Sequence, residues 1–365
     1  MSRKTGKYNF LKSHERRNIK MDNQKNGTSK MIKNCLAGIV LVILFSSCIG
    51  VDDSVDKIKE ACSGMTFEEL KTQNGISDKC RDAVYSASLL PDGENDFNSK
   101  IIILGGTTSG GATVYYTGVD SGGTGLSTSD LSGVTVKVTQ NGTETTLNSS
   151  QYTISSLAES TENAVSMGVV IDYSGSMRDK DLDEIANFNQ DFFTYFPTIY
   201  ESSVYYFSET PTLKQDFTSD KNTILSATTR DITYKRASTA LYDAMGMALD
   251  DLVARSSPVK LLIVATDGLE NASVQYTKAQ IVSKISDNKV FVVMLGALFA
   301  DVSELKALKG SRGIYFYDDA YSKFRSEFTK FTQSLGNVHK LTTNSEITNV
   351  SKVTISSGSY SGNFE

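Results

Sequence analysis

The chain has 365 residues, with 37 Lys and Arg against 42 Asp and Glu, and a formal net charge of −5. Ten of those bases and two of those acids fall in residues 1–34, leaving 27 bases against 40 acids, or −13, for the remainder. So acidic a balance argues against nucleic acid as a partner, which needs clustered Lys and Arg to release counterions, and against a nonspecific hold on anionic lipid.

Residues 35–45 are an almost uninterrupted apolar run that ends in Ser46-Ser47-Cys48. A basic opening, an apolar core and small residues before a break define a secretory signal. The core is too short to read as a membrane span. With Cys48 directly after two serines, the segment resembles a bacterial lipoprotein signal. That resemblance implies that Cys48 is lipidated, becomes the mature N-terminus and ties the protein to the cell envelope, at the outer membrane or cell surface. Several acyl chains would then hold it, since one alone is marginal. Phe45 replaces the Leu usual three residues before such a Cys, so ordinary cleavage or an uncleaved anchor stays open. Met21 and Met31 are alternative starts to Met1.

Residues 48–98 carry two capped helix openings, Thr66-Phe-Glu-Glu-Leu and Ser77-Asp-Lys-Cys-Arg-Asp. Once Cys35 is removed and Cys48 acylated, Cys62 and Cys80 remain as an even pair. In an oxidising compartment they can close a disulfide worth about 3 kcal/mol; two buried free thiols are the alternative. Residues 99–163 read as antiparallel β, with strand-like runs at 101–104, 112–116, 134–138 and 152–154 separated by Gly-Gly, Ser-Gly and Asn141-Gly142 turns. The tail, residues 342–365, has the same character. It is expected to return and pair with 99–163, although the Gly/Ser-rich stretch 107–127 also suits a flexible linker.

Between these lies a different pattern. Residues 165–171, Val-Ser-Met-Gly-Val-Val-Ile, read as a buried strand, and Asp172-Tyr173-Ser174-Gly175-Ser176 follows directly. Residues 177–196 carry Leu182, Ile185, Phe188, Phe192 and Phe193 at helical spacing. Strands at 202–208 and 213–217, a helix near 221–228 and an amphipathic helix opened by Ala237-Ser238-Thr239 come next. The apolar strand 261–266 ends in Asp267-Gly268. A helix at 277–286, a buried strand at 290–295, a short helix at 302–308, an edge-like strand at 313–317 and a closing helix at 321–335 complete the series. Alternating strands and helices predict an α/β fold, a doubly wound, mostly parallel sheet flanked by helices over residues 164–341. A small accessory β region and an N-terminal helical segment would flank it.

Asp172, Ser174 and Ser176 would leave the carboxyl end of a strand, where open α/β sheets bind ligands. Their oxygens are hard donors, suited to Mg²⁺, Mn²⁺ or Ca²⁺ rather than zinc or copper. A turn in which Ser and Gly supply only caps is the competing interpretation.

With Thr239 and Asp267 added, residues 164–341 resemble the von Willebrand factor A domain family, whose metal-ion-dependent adhesion site is a D-x-S-x-S, a distant Thr and a distant T-D-G Asp. The resemblance implies that Ser174, Ser176 and Thr239 ligate a divalent ion, Mg²⁺ first, while Asp172 and Asp267 hold it directly or through water. Ala237 replaces the glycine usual before that Thr. Two carboxylates and three hydroxyls do not saturate a cation that takes six to eight oxygens. The open position would accept an acidic side chain from a protein ligand. No acid/base machinery accompanies the site: His14 and His339 belong to no motif, and Glu270, the one nearby acid, reads as a solvated surface residue. The expected function is a binding protein, with an envelope scaffold as the alternative and a metal-dependent hydrolase third.

Overall fold

The computed structural model describes residues 94–365 apart from positions 98, 160–162, 197–199, 268–269, 298–299 and 319. The leader, Cys48, Cys62, Cys80 and nearly all of the expected helical segment lie outside the described residues.

The chain builds β1 (Glu94–Asn95), β2 (Lys100–Thr107), β3 (Thr113–Val119), α1 (Thr128–Ser132), β4 (Thr135–Gln140), β5 (Thr143–Thr146) and β6 (Tyr152–Ser156). The α/β portion follows: β7 (Val165–Asp172), α2 (Asp179–Tyr195), β8 (Tyr200–Phe207), β9 (Pro211–Thr218), α3 (Lys221–Ala227), α4 (Leu241–Val253) and β10 (Val259–Thr266). It continues through α5 (Lys278–Asp287), β11 (Phe291–Ala297), α6 (Val302–Leu308), β12 (Ile314–Asp318) and α7 (Arg325–Leu335). The last strands are β13 (His339–Thr343), β14 (Val350–Ser357) and β15 (Tyr360–Phe364).

Seven strands form the main sheet in the order β1-β12-β11-β10-β7-β8-β9. The five inner strands run parallel, and every residue of β7, β8 and β11 is buried. Helices cover both faces of such a sheet, so its strands lack the polar alternation of a half-exposed one. From β7 the chain winds one way to β8 and the other way through β10, β11 and β12. The order reverses between β7 and β10, and a crevice opens there at the carboxyl ends.

Three details differ from the expected pattern. β9 is antiparallel to β8, because the three residues between them are too few for a crossover. β12 is not an edge: β1 pairs with it, Glu94 opposite Tyr317 and Asn95 opposite Phe316. The closing helix begins only at Arg325, after a 3-10 turn at Tyr321–Lys323, and Phe324 sits outside helical geometry with φ −98° and ψ 9°. That turn buries both Tyr321 and Phe324, which a 3-10 turn places on one side. α1 and β5 have no counterpart in the expected elements; one is five residues long and the other, Thr-Glu-Thr-Thr, is wholly exposed.

The apolar stripes of α2 and α7 face each other. Phe188 lies 5.3 Å from Phe328 and 5.6 Å from Phe324, ring centre to ring centre. These aromatics are core.

The remaining strands make two four-stranded sheets, β2-β3-β13-β6 and β15-β14-β4-β5. They share a core that includes Val114, Tyr116, Val136, Val138, Leu341, Val353, Ile355 and Phe364. β13 pairs with β3 and β6, and β14 with β4, so strands from after the α/β portion interleave with strands from before it. Residues 339–341 thus lie in a β sheet rather than in the α/β portion. The two connections run side by side: the Leu157 amide donates to the Val338 carbonyl at 2.8 Å.

This sandwich meets the amino end of β10 and the carboxyl end of α7. A Cβ on Gly105 would lie 2.8 Å from the Pro258 carbonyl oxygen, an approach only glycine allows. The Thr117 hydroxyl donates to the Ser334 carbonyl at 2.6 Å, and Asn337 Nδ2 to the Leu126 carbonyl at 2.8 Å. The opposite edge, where the parallel strands end, is left to the crevice. Among the described residues no helix is long and apolar enough to cross a membrane.

Candidate metal centre

Asp172 is the last residue of β7 and is fully buried. One carboxylate oxygen accepts the Ser174 amide at 2.6 Å and the other accepts the Thr266 hydroxyl at 2.7 Å. The first of these bonds folds the chain back, a common use of Asp at a turn. Alternate residues then face opposite ways. The Tyr173 ring stacks on Tyr206 at 4.3 Å and its hydroxyl accepts the Asp231 amide at 2.8 Å. Ser174 and Ser176 turn towards the crevice, their hydroxyl oxygens 2.8 Å apart. Ser176 donates onward to Asp267 Oδ1 at 2.6 Å. Asp172, Ser174, Ser176 and Asp267 therefore form one contiguous, buried cluster across the crevice between β7 and β10.

Thr239 lies in the loop before α4 and is also buried. That loop is held at several points. The Gly175 amide donates to the Ala237 carbonyl at 2.7 Å, the Ala240 amide to the Ser208 carbonyl at 2.8 Å, and Arg236 Nη1 to the Met177 carbonyl at 2.9 Å. Ala237 has negative φ, so its replacement of the expected glycine introduces no strain.

Burial is the main influence on Asp172. It pushes the carboxyl up to about 6, against the opposing pull of hydrogen bonds from Ser174, Thr266 and the Asp267 backbone. Tyr321, from the 3-10 turn before α7, is buried with its hydroxyl unpaired. Burial and the nearby charges of Asp267, Asp172 and Asp181 together push its phenol well above its ordinary value.

This environment fits a hard divalent cation. Two buried carboxylates and three hydroxyls are oxygen donors of the required kind, and a cation would relieve the cost of ionising Asp172. Among the described residues no cluster of three or more His, Cys, Asp or Glu offers a rival metal site.

Residues 167–333 match the family model of the von Willebrand factor type A domain. The chain carries a von Willebrand factor type A domain. Domains of this family are typically interaction or adhesion modules. Among solved structures, the chain is similar to proximal thread matrix protein 1 from the mussel byssus, described with a zinc-occupied MIDAS motif: 20% identity over 53% of this chain and 49% of that one, TM-score 0.42. It spans about half the length of those mussel structures. It is also similar to the vWF domain of the type V pili tip protein Mfa5 from Porphyromonas gingivalis, at 11% identity over 48% of this chain and 96% of that one, TM-score 0.38. A third likeness is to a von Willebrand factor type A protein from Catenulispora acidiphila, at 12% identity over 75% and 72%, TM-score 0.41. No curated protein matches the chain.

The A domain also contains residues that the motif did not reveal. Thr266, the residue before Asp267, bonds Asp172 across the crevice. Glu270 is not a solvated surface acid. One of its oxygens accepts the Ala272 and Ser273 amides, at 2.8 and 2.7 Å; the other accepts the Tyr242 amide at 2.9 Å and the Ser273 hydroxyl at 2.7 Å. It is a cap joining the start of α4 to the loop after β10.

Proposed function

We propose that the protein is a non-enzymatic binding protein of the bacterial cell envelope that holds an acidic protein ligand through a divalent ion, Mg²⁺ or Mn²⁺ first, at Asp172, Ser174, Ser176, Thr239 and Asp267. The observation that carries this reading is the contiguous cluster of two carboxylates and two serine hydroxyls at the switch point of the sheet. A bound divalent cation would supply an electrophilic position for a partner's carboxylate. The residues of the chain set that up. Asp172 and Asp267 would offset the ion's two positive charges, while the five donors together leave at least one coordination position for the partner. Ser174, Ser176 and Thr239 add neutral oxygens, so they hold without quenching the charge. Burial keeps water from competing at the inner side of the cluster. Glu270 is occupied as a cap, so the nearby acid that a hydrolase would use as its base is committed elsewhere.

Calorimetric titration of Mg²⁺, Mn²⁺, Ca²⁺ and Zn²⁺ into the protein is expected to give one site, with Mg²⁺ or Mn²⁺ bound. Envelope and matrix extracts passed over the immobilised protein should yield a captured protein that chelator releases. Absence of metal-dependent heat would reject the ion bridge and leave a scaffold. Metal-dependent hydrolytic turnover would reject a pure binding role.

The anchor in this proposal is Cys48, supported by the leader sequence. Cys48→Ser is expected to abolish acyl labelling and move the protein from the membrane to the soluble fraction; unchanged membrane association would reject lipidation as the tether.

A further inference from the structure

Thr239 and Asp267 come from segments 28 positions apart, yet both must be presented to the same ion. Thr239 lies in a loop outside regular structure, two residues before α4 begins at Leu241. Both of its backbone groups are taken by a single residue. Its amide donates to Asn271 Oδ1 at 2.8 Å, and its carbonyl accepts the Asn271 amide at 3.0 Å. The peptide group on each side of the Thr239 Cα is therefore held by one bond, which restrains the backbone dihedrals there and with them the direction of the Cα–Cβ bond that carries the Thr239 hydroxyl.

The loop that carries Asn271 is itself sewn to the same helix start. Glu270 accepts the Tyr242 amide at 2.9 Å, while Asp243 returns the favour by accepting the amides of Val274, Gln275 and Tyr276 at 2.9, 2.9 and 2.8 Å. The Asp243 amide donates to the Ser273 hydroxyl at 3.0 Å. Each segment caps the other. Asn271 is only four residues beyond Asp267, so the segment that supplies one carboxylate also orients the distant hydroxyl.

We propose that Asn271 is the positioning residue for Thr239: through its Oδ1 acceptor and its own amide it holds the Thr239 backbone against the loop that follows β10. This inference rests on the ion-binding reading of the site. It requires the acceptor oxygen at position 271 rather than the amide NH₂, which makes the conservative variant informative. Asn271→Asp keeps an oxygen for the Thr239 amide; Asn271→Ala removes it.

The test uses the full chain, with Mn²⁺ as the probe read by its electron spin resonance signal. Amide hydrogen exchange across 237–241 is measured in parallel in chelator. Asn271→Ala is expected to weaken Mn²⁺ binding by about 10–100-fold, the usual effect of losing a partner that orients a metal ligand. It should also speed exchange at the Thr239 amide without metal present. Asn271→Asp is expected to restore both protection and affinity. Undiminished Mn²⁺ binding by a folded Asn271→Ala protein would overturn the proposal while leaving the site intact. Equal loss in both variants would overturn the acceptor role in favour of simple packing. Wild-type protein that takes up no ion would remove the site itself, and with it this role for Asn271.

Discussion

In chelator at pH 7, Asp172→Asn is expected to melt several degrees higher than the wild type while failing to bind Mg²⁺ or Mn²⁺. The carboxyl of Asp172 is fully buried, and burial raises it to about 6 from an ordinary value of 3.8. A folded value above the unfolded one means that the native state holds the proton more tightly. Its stabilising contribution is present below about pH 4 and is lost as pH rises through about 6. At pH 7 the buried, ionised group therefore costs stability relative to its protonated form. Asn removes that charge and can still accept the Ser174 amide, while its NH₂ meets the Thr266 hydroxyl, which accepts as well as donates. For a domain of this size each kcal/mol corresponds to roughly 2–4 °C. The gap between variant and wild type should shrink as the pH is lowered towards 4. Saturating Mg²⁺ should raise the wild-type melting temperature and leave the variant unchanged. Thermal melts across pH 4–8, with and without Mg²⁺, check each part; a variant that melts lower in chelator at pH 7 would show that the carboxylate is held favourably without any ion.

Arg178→Ala is expected to destabilise the protein by about 3–5 kcal/mol, because it leaves a buried acid without its partner. Arg178 Nε and Nη2 meet the two oxygens of Asp181 at 2.7 and 2.8 Å, and both side chains are almost wholly buried. Asp181 also accepts the Arg178 amide at 3.2 Å, which ties the pair to the first turn of α2. A bidentate pair of this kind is hard to break but not hard to replace. The double variant Arg178→Met with Asp181→Leu removes both charges at similar volume, and is expected to recover most of the lost stability. Urea unfolding of Arg178→Met, Asp181→Leu and the double completes the cycle. Additive losses would show that the two groups do not act as a pair. Because Arg178 lies two residues beyond Ser176, the single variants should also weaken Mn²⁺ binding, and the double variant should recover part of it.

Much of the A domain was legible because its signals are local. Val165 to Asp172 is a continuous apolar run closed by an acid, and a strand buried on both faces has no other pattern to show. Leu182, Ile185, Phe188, Phe192 and Phe193 mark one face of α2 by spacing alone. The D-x-S-x-S motif is readable for the same reason, since alternate residues after a strand share a side. Where neighbours in space decide, the pattern was silent. Nothing in Glu94–Asn95 announces a strand that caps the edge of β12, since two residues carry no period. Glu270 looked like any surface acid because its four donors belong to Tyr242, Ala272, Ser273 and the Ser273 hydroxyl, contacts that exist only once α4 and the loop after β10 meet. Tyr321 is one aromatic among several in its segment, and only the turn before α7 takes it into the acidic cluster.

By itself the sequence determined the alternating strands and helices, the acid at the end of β7, the acid after β10 and the hydroxyls that accompany them. Those follow from hydrophobic periodicity and residue chemistry, which are properties of short stretches. The tertiary structure decided that β7 and β10 are neighbours at the point where the sheet reverses its winding, and this brings Asp172 and Asp267 to one crevice. It also decided that the β sandwich closes with strands from both sides of the A domain and meets the opposite edge of the sheet. Strand order and long-range pairing depend on which buried surfaces fit together over more than a hundred residues, and no local pattern encodes that.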